Sequence, residues 1–135
     1  MDIQVDDWLK RGIIRPSHSE YASPALIARK RDGSLRPCIN SKKLNAKVEK
    51  QHFPAPLIED VLDDLAEAKV FCTFDMRDGF FHVDVDEESK KYLSFITPTG
   101  QYEFNFVPFE LCNSPPACSE YVSYVFAPLI KAKKM

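Results

Sequence analysis

The 135-residue chain lacks several features that would place it outside the ordinary globular proteins. No apolar run approaches the ~20 residues that a membrane-spanning helix needs, so we expect no membrane association. The first dozen residues hold Asp2, Asp6, Asp7, Lys10 and Arg11, and we therefore expect no signal peptide there. Only four glycines stand against ten prolines, which predicts a stiff, often interrupted chain. The length suits a single domain, residues 1–135, around one core.

Cysteine and histidine are also sparse, and neither is arranged as a metal site. The four cysteines form no C-x-x-C pair, and the three histidines lack zinc-ligand spacing. Cys38 and Cys72 lie in apolar runs, where a reduced and buried thiol is expected. We predict an intracellular protein with free thiols and no structural zinc.

Net charge is only −2, which excludes nucleic-acid binding through bulk positive charge alone. Its distribution is uneven, however. Residues 28–50 hold eight basic and two acidic side chains, a net of +6, whereas residues 59–88 hold two basic and eleven acidic ones, a net of −9. A basic lobe followed by an acidic lobe suits a polyphosphate ligand with a divalent metal. Two solvated surfaces of opposite sign would give the same pattern.

Hydrophobic periodicity and turn residues predict the order helix, hairpin, helix, strand, hairpin, helix. This order indicates an α+β fold, a largely antiparallel sheet with helices on one face. The predicted elements are a helix over 3–11 that ends at Gly12, strands over 24–30 and 35–41, a helix over 57–68, strands over 70–76, 92–97 and 102–107, and a helix from about 117 that is disturbed near Pro128.

Two places carry the candidate chemistry. The turn Arg31–Ser34 of the first hairpin is flanked by Arg29, Lys30 and Arg36, so a basic tip could close over a phosphate. Asp75 ends the apolar run over 70–76, where a carboxylate is costly unless it pairs with a cation or a metal. Oxygen ligands suit Mg²⁺ or Mn²⁺. A turn or cap residue is the alternative role for Asp75.

Five motifs follow one another in a familiar order from about residue 5 to residue 130. They are the L-x-x-G-I-I-x-P-S of Leu9–Ser17, the S-P-x-x-x-x-x-K-x-D-G-S-x-R of Ser23–Arg36 followed by Asn40–Asn45, the P-x-P-x-I of Pro54–Ile58, the stretch from Asp75 to Phe80, and Gly100–Pro115. Together they resemble an LTR-retrotransposon reverse transcriptase of the Ty3/gypsy type. The resemblance implies the fingers, about 13–56, and part of the palm, about 57–135, of a right-hand polymerase.

The resemblance also implies roles for single residues. Asp75 matches the first metal-binding and catalytic aspartate, beside the backbone carbonyl of Met76, for Mg²⁺ or Mn²⁺. The residues matching nucleotide-binding positions are Lys30 and Arg36 for the triphosphate, Asp78 and Gly79 through backbone groups, and Phe80 under the sugar. Arg29, Arg31 and Lys42 are the expected nucleic-acid contacts, and the implied partners are an RNA/DNA template–primer and a dNTP.

The sequence departs from the family pattern in ways that leave alternatives open. It contains no Y-x-D-D motif, which supplies two further aspartates in the family, so we expect a domain truncated before that motif and inactive by itself. Glu110 replaces a family glycine close to where a nucleotide base would lie. A domesticated, non-catalytic module for nucleic-acid binding or protein interaction is the alternative. It could pair as a homodimer or with another polymerase chain.

Overall fold

The computed structural model describes residues 2–29, 31–33 and 35–133, and for Asp2, Leu35, Arg36 and Lys133 only the backbone. The helices are α1 (Asp2–Lys10), α2 (Lys42–Asn45), α3 (Ile58–Leu65), α4 (Glu87–Lys90) and α5 (Ser114–Lys133), with 3-10 turns at Gly79–His82 and Lys91–Leu93. The strands are β1 (Ile14–Pro16), β2 (Ser23–Arg29), β3 (Leu35–Ile39), β4 (Ser94–Thr97) and β5 (Gly100–Phe104). Among the described helices, none combines the length and the apolar character needed to cross a membrane.

The strands form one five-stranded sheet in the order β1-β5-β4-β2-β3. All neighbours are antiparallel except β2 and β4, which run parallel with Ser23 opposite Phe95. The predicted α+β class with a largely antiparallel sheet is confirmed. The parallel pair aligns the starts of two strands that lie about seventy residues apart in the chain.

The core forms where α1 packs on this sheet. Trp8 is 4% exposed, and its ring centroid lies 5.6 Å from Phe104 and 6.5 Å from Phe95. Gly12 ends α1 with φ +68°, a conformation that glycine adopts without strain. The chain therefore turns directly from α1 into β1, and the predicted end of the first helix near Gly12 is confirmed.

The predicted strand over 70–76 is wrong. This segment has no regular backbone structure, and all of its residues are exposed, including Cys72, for which burial was expected. Its composition favours a strand, but strand N–H and C=O groups need a neighbouring strand, and the described sheet provides none beside it. Asp75 consequently does not lie at the end of a sheet strand.

The last helix also differs from its prediction, because α5 runs from Ser114 through Pro128 to Lys133 without interruption. Proline removes one intrahelical hydrogen bond, from its own position to the carbonyl of Tyr124. Both residues are exposed, so water can solvate that carbonyl. The loss of one exposed bond does not end a helix of 20 residues.

Candidate functional site

The Gly79–His82 turn is held between the core and the start of α5. Phe81 contacts the Trp8 ring at 6.2 Å and the Phe109 ring at 6.1 Å between centroids. A Cβ added to Gly79 would lie 3.4 Å from the Cβ of Met76, and the Cys118 thiol lies 3.8 Å from the Gly79 carbonyl oxygen. A Cβ at position 79 would therefore be in van der Waals contact with Met76. Phe80 is half-buried in the same turn.

Asp78 enters this turn in the left-handed conformation, with φ +53° and ψ +39°. Its carboxylate accepts a hydrogen bond of 2.6 Å from the guanidinium of Arg11, which also pairs with Asp7 at 3.3 Å. The hydrogen bond to Asp78 raises the pKa of Arg11 above its ordinary value. Arg11 could not be predicted as part of this site, because no local pattern links residues 67 positions apart.

A groove of about 620 Å³ separates the Asp78 turn from one side of α5. On the α5 side, the His82 and Tyr121 rings stack with 6.3 Å between centroids and 16° between planes. Residues that line the groove include Arg11, Asp78, His82, Tyr121, Val122 and Phe126. The surface is mainly apolar, with the Arg11–Asp78 ion pair at one end.

Asp75 and Met76 precede this turn on the exposed, irregular segment described above. Among the described residues, no three histidine, cysteine, aspartate or glutamate side chains gather around a common point. The nearby carboxylate of Asp78 is bound to Arg11. A two-metal site needs carboxylates from more than one element to hold both ions. The described residues therefore do not fit such a centre by themselves.

The basic hairpin forms as predicted. Ala28 pairs with Arg36 and Arg29 with Leu35, and Gly33 supplies the positive φ of +83° in the turn. Arg29 and Arg31 are exposed near the tip, whereas Lys30 lies outside the described residues and Arg36 is placed only by its backbone register. Lys42 is exposed at the first position of α2.

The middle of β3 reaches the Asp78 turn. Pro37, which follows Arg36 in β3, lines a small cavity of about 160 Å³ together with Asp78, Phe81 and Phe109. The backbone of Arg36 therefore lies next to Pro37, which borders the Asp78 turn. Of the described candidate residues, Asp78 borders this cavity beside β3, and Met76 and Asp78 both line the larger groove. Asp75 lines neither of these two cavities.

Two asparagines fasten the 108–114 loop to the α2 region. The Asn45 amide donates to the carbonyl of Glu110 at 2.9 Å and accepts from the N–H of Cys112 at 2.9 Å. The Asn113 amide donates to the carbonyl of Glu49 at 2.9 Å and accepts from the N–H of Gln51 at 3.1 Å. Both asparagines lie in the recognised motifs, but their clamping role was not foreseen.

Glu110 contributes a third link across the same boundary. Its carboxylate accepts a hydrogen bond of 3.3 Å from the N–H of Ile39, at the end of β3. The side chain that replaces a family glycine thus ties the loop to the hairpin strand. Its effect on a bound base stays a prediction.

Comparisons with known proteins agree with this geometry. The family model described as reverse transcriptase (RNA-dependent DNA polymerase) matches residues 28–135. The chain is 34% identical over 130 residues to the retrovirus-related Pol polyprotein from transposon 412 of Drosophila melanogaster, covering 92% of this chain and 10% of that protein. It is 32% identical over 129 residues to the enzymatic polyprotein of cauliflower mosaic virus (strain Strasbourg), covering 93% and 19%. The chain therefore spans between about a tenth and a fifth of these relatives.

Solved structures show the same fold. The protease–reverse transcriptase of prototype foamy virus superposes with a TM-score of 0.79 at 24% identity, over 94% of this chain and 17% of that one. The foamy viral protease–reverse transcriptase in complex with an RNA/DNA hybrid superposes with a TM-score of 0.79 at 22% identity, again over 94% and 17%. The predicted fold class is confirmed by these superpositions.

Proposed function

Because the chain belongs to the reverse transcriptase (RNA-dependent DNA polymerase) family, we propose that it forms the fingers and the front of the palm of such a polymerase. We infer the Ty3/gypsy type from the spelling of its motifs, Leu9–Ser17 and Ser23–Arg36 above all. In the proposed role it works inside the cell and binds an RNA/DNA template–primer and a dNTP.

The observation that carries this proposal is the cavity shared by Pro37, Asp78 and Phe109. This cavity lies between the basic hairpin and the turn that contains Gly79 and Phe80. A nucleotide would need the cations of the hairpin for its phosphates and the turn for its sugar. Phosphoryl-transfer enzymes work mainly by positioning the phosphates and by placing cations against developing charge. Lys30 and Arg36 would hold the triphosphate, while Gly79 lets the backbone approach and Phe80 faces the sugar.

The remaining basic residues fit a strand-binding role. Arg29, Arg31 and Lys42 are exposed, so they would contact template phosphates. The family generally uses divalent metals, and the notable departure here is that Asp75 belongs to no group of three described acidic, histidine or cysteine side chains that could hold a metal ion. We therefore expect this chain alone to incorporate no dNTP with Mg²⁺ or Mn²⁺. Template-directed incorporation that disappears in Asp75→Ala would contradict that expectation.

Binding of a labelled RNA/DNA hybrid tests the proposal directly. We expect the Arg29→Ala/Arg31→Ala variant to bind more weakly, with a log–log salt slope shallower by about 1.8, since each phosphate contact contributes about 0.9. The matched control is Lys69→Ala/Lys131→Ala, which removes the same charge from exposed positions outside the site. Equal losses in both variants would show that the hairpin has no special role.

A non-catalytic interaction module is the second candidate, favoured by several exposed apolar side chains around α3 and in the segment that follows it. Ile58 on α3 is 77% exposed and Phe74 is 91% exposed, with Leu57 and Leu62 also largely uncovered. Apolar patches of this kind are uncommon on soluble monomers. In this reading the patch pairs with a second copy of the chain, since symmetric dimers are the commonest way to cover such a face.

A further inference from the structure

A second groove lies away from the candidate nucleotide site, where the parallel strands β2 and β4 begin. The pairing of Ser23 with Phe95 brings the preceding residues of both strands to one edge of the sheet. Tyr21 and Tyr92 meet there, with ring centroids 4.9 Å apart and planes inclined by 52°. Both tyrosines remain open to solvent, with 44% of Tyr21 and 40% of Tyr92 exposed.

This groove, of about 460 Å³, has aromatic rings on one side and lysines on the other. Lys43 and Lys47 line it from α2 and the turn that follows α2. Lys91 is not a lining residue, but its Nζ lies 5.1 Å from the centroid of the Tyr92 ring. The described residues that line the groove include no carboxylate.

The loop that carries Tyr21 is fixed before any ligand arrives. The Ser17 hydroxyl accepts from the N–H of Ser19, and the Ser19 hydroxyl accepts from the N–H of Tyr21, both at 3.1 Å. The Gln101 amide nitrogen lies 2.7 Å from the Ser19 carbonyl oxygen and 3.0 Å from that of Tyr21. A ligand would not have to order this loop, so little binding free energy would be lost.

Exposed aromatic faces interleaved with cations are the chemistry that holds single-stranded nucleic acid. Bases stack on the rings regardless of sequence, and ammonium groups follow the phosphates. A duplex hides its base faces, so it cannot use the tyrosines. We propose that the Tyr21–Tyr92 groove binds a single-stranded nucleic-acid segment, a contact separate from the hairpin. This inference rests on the proposed function, because an unpaired template is the strand that the groove would receive.

The test uses the full chain and a fluorescein-labelled oligouridylate, with RNA/DNA hybrid binding measured in parallel. We expect Tyr21→Ala and Tyr92→Ala each to weaken oligouridylate binding about fivefold or more, since one stacked base contributes at least about 1 kcal/mol. The Tyr21→Phe/Tyr92→Phe variant should retain binding, because its ring faces remain. Tyr124→Ala, which removes an exposed tyrosine on α5, is the matched control and should bind as the unmodified chain does.

Charge gives an independent readout that does not depend on the tyrosine variants folding. Lys43→Ala/Lys47→Ala should make the log–log salt slope for oligouridylate shallower by about 1.4, at about 0.7 per contact on single strands. Photocrosslinking with a 5-iodouridine oligomer should label Tyr21 or Tyr92. Unchanged slopes together with crosslinks elsewhere, while the hybrid still binds through the hairpin, would overturn this inference alone. Failure of the unmodified chain to bind the hybrid would instead overturn the proposed function.

Discussion

A buried carboxylate between β1 and β5 offers the sharpest test of how this fold is held. Glu103 is 7% exposed and accepts a 2.7 Å hydrogen bond from Arg15 Nε and a 2.6 Å bond from the Ser17 hydroxyl. Arg15 also pairs with Glu87, which pairs with Lys90 at 2.8 Å. Glu103→Gln keeps the size of the side chain but removes its charge. Ser17 can still donate to the amide oxygen, so the main loss is the ion pair with Arg15.

The magnitude follows from the exposure of the two partners. A hydrogen bond to a charged group stabilises a fold by about 1.5–3 kcal/mol, whereas an exposed ion pair contributes less than about 1 kcal/mol. The Glu103 side chain is 10% exposed and that of Arg15 is 41% exposed, so solvent screens one partner only. We therefore expect a coupling of about 1–2 kcal/mol between Glu103 and Arg15.

A double-mutant cycle with Glu103→Gln and Arg15→Met measures this coupling, because the cycle cancels the lost Arg15–Glu87 pair. The single tryptophan, Trp8, is buried and reports urea unfolding by fluorescence. If the free energy of unfolding falls by about 2 kcal/mol per molar urea, this coupling corresponds to a shift of about 0.5–1 M in the urea concentration at the unfolding midpoint. A coupling below about 0.3 kcal/mol would refute the reasoning, because residues that do not interact deviate from additivity by about that much.

Three further predictions concern other contacts. The hydrogen bond from Arg15 lowers the pKa of Glu87 to about 2. This pair therefore stabilises the fold fully above the ordinary pKa of 4.5, and its contribution is lost as the pH falls toward 2. Over that range, the difference in melting temperature between the unmodified chain and Glu87→Gln should shrink. Asn45→Ala should cost about 1–3 kcal/mol in urea unfolding, because the N–H of Cys112 loses its partner. Asn40→Ala, whose bond to the N–H of Lys42 is exposed and 3.3 Å long, is its control and should cost less than about 0.5 kcal/mol. Light scattering at micromolar concentration should give a mass above one chain, and a constant 15.5 kDa would exclude the dimer.

Much of the candidate site was predictable because motif order and turn chemistry are local. The hairpin over β2 and β3 followed from Arg31–Ser34, and Gly33 adopts the positive φ that such a turn requires. The last helix was predicted from about 117, and α5 begins three residues earlier, at Ser114. The resemblance implied nucleotide-binding roles for Asp78, Gly79 and Phe80, and one turn contains all three. The nucleotide roles of these residues stay predictions.

The sequence by itself determined the elements whose signals lie within a few residues: the end of α1 at Gly12, the basic hairpin and the helix that follows Asn113. Only the tertiary structure decided which distant groups meet, including Arg11 with Asp78 and, through the parallel pairing of β2 and β4, Tyr21 with Tyr92. It also decided against a strand over 70–76, despite the composition of that segment. The physical reason is that a turn satisfies its own backbone, whereas a strand or an ion pair exists only when a partner from elsewhere in the chain lies beside it.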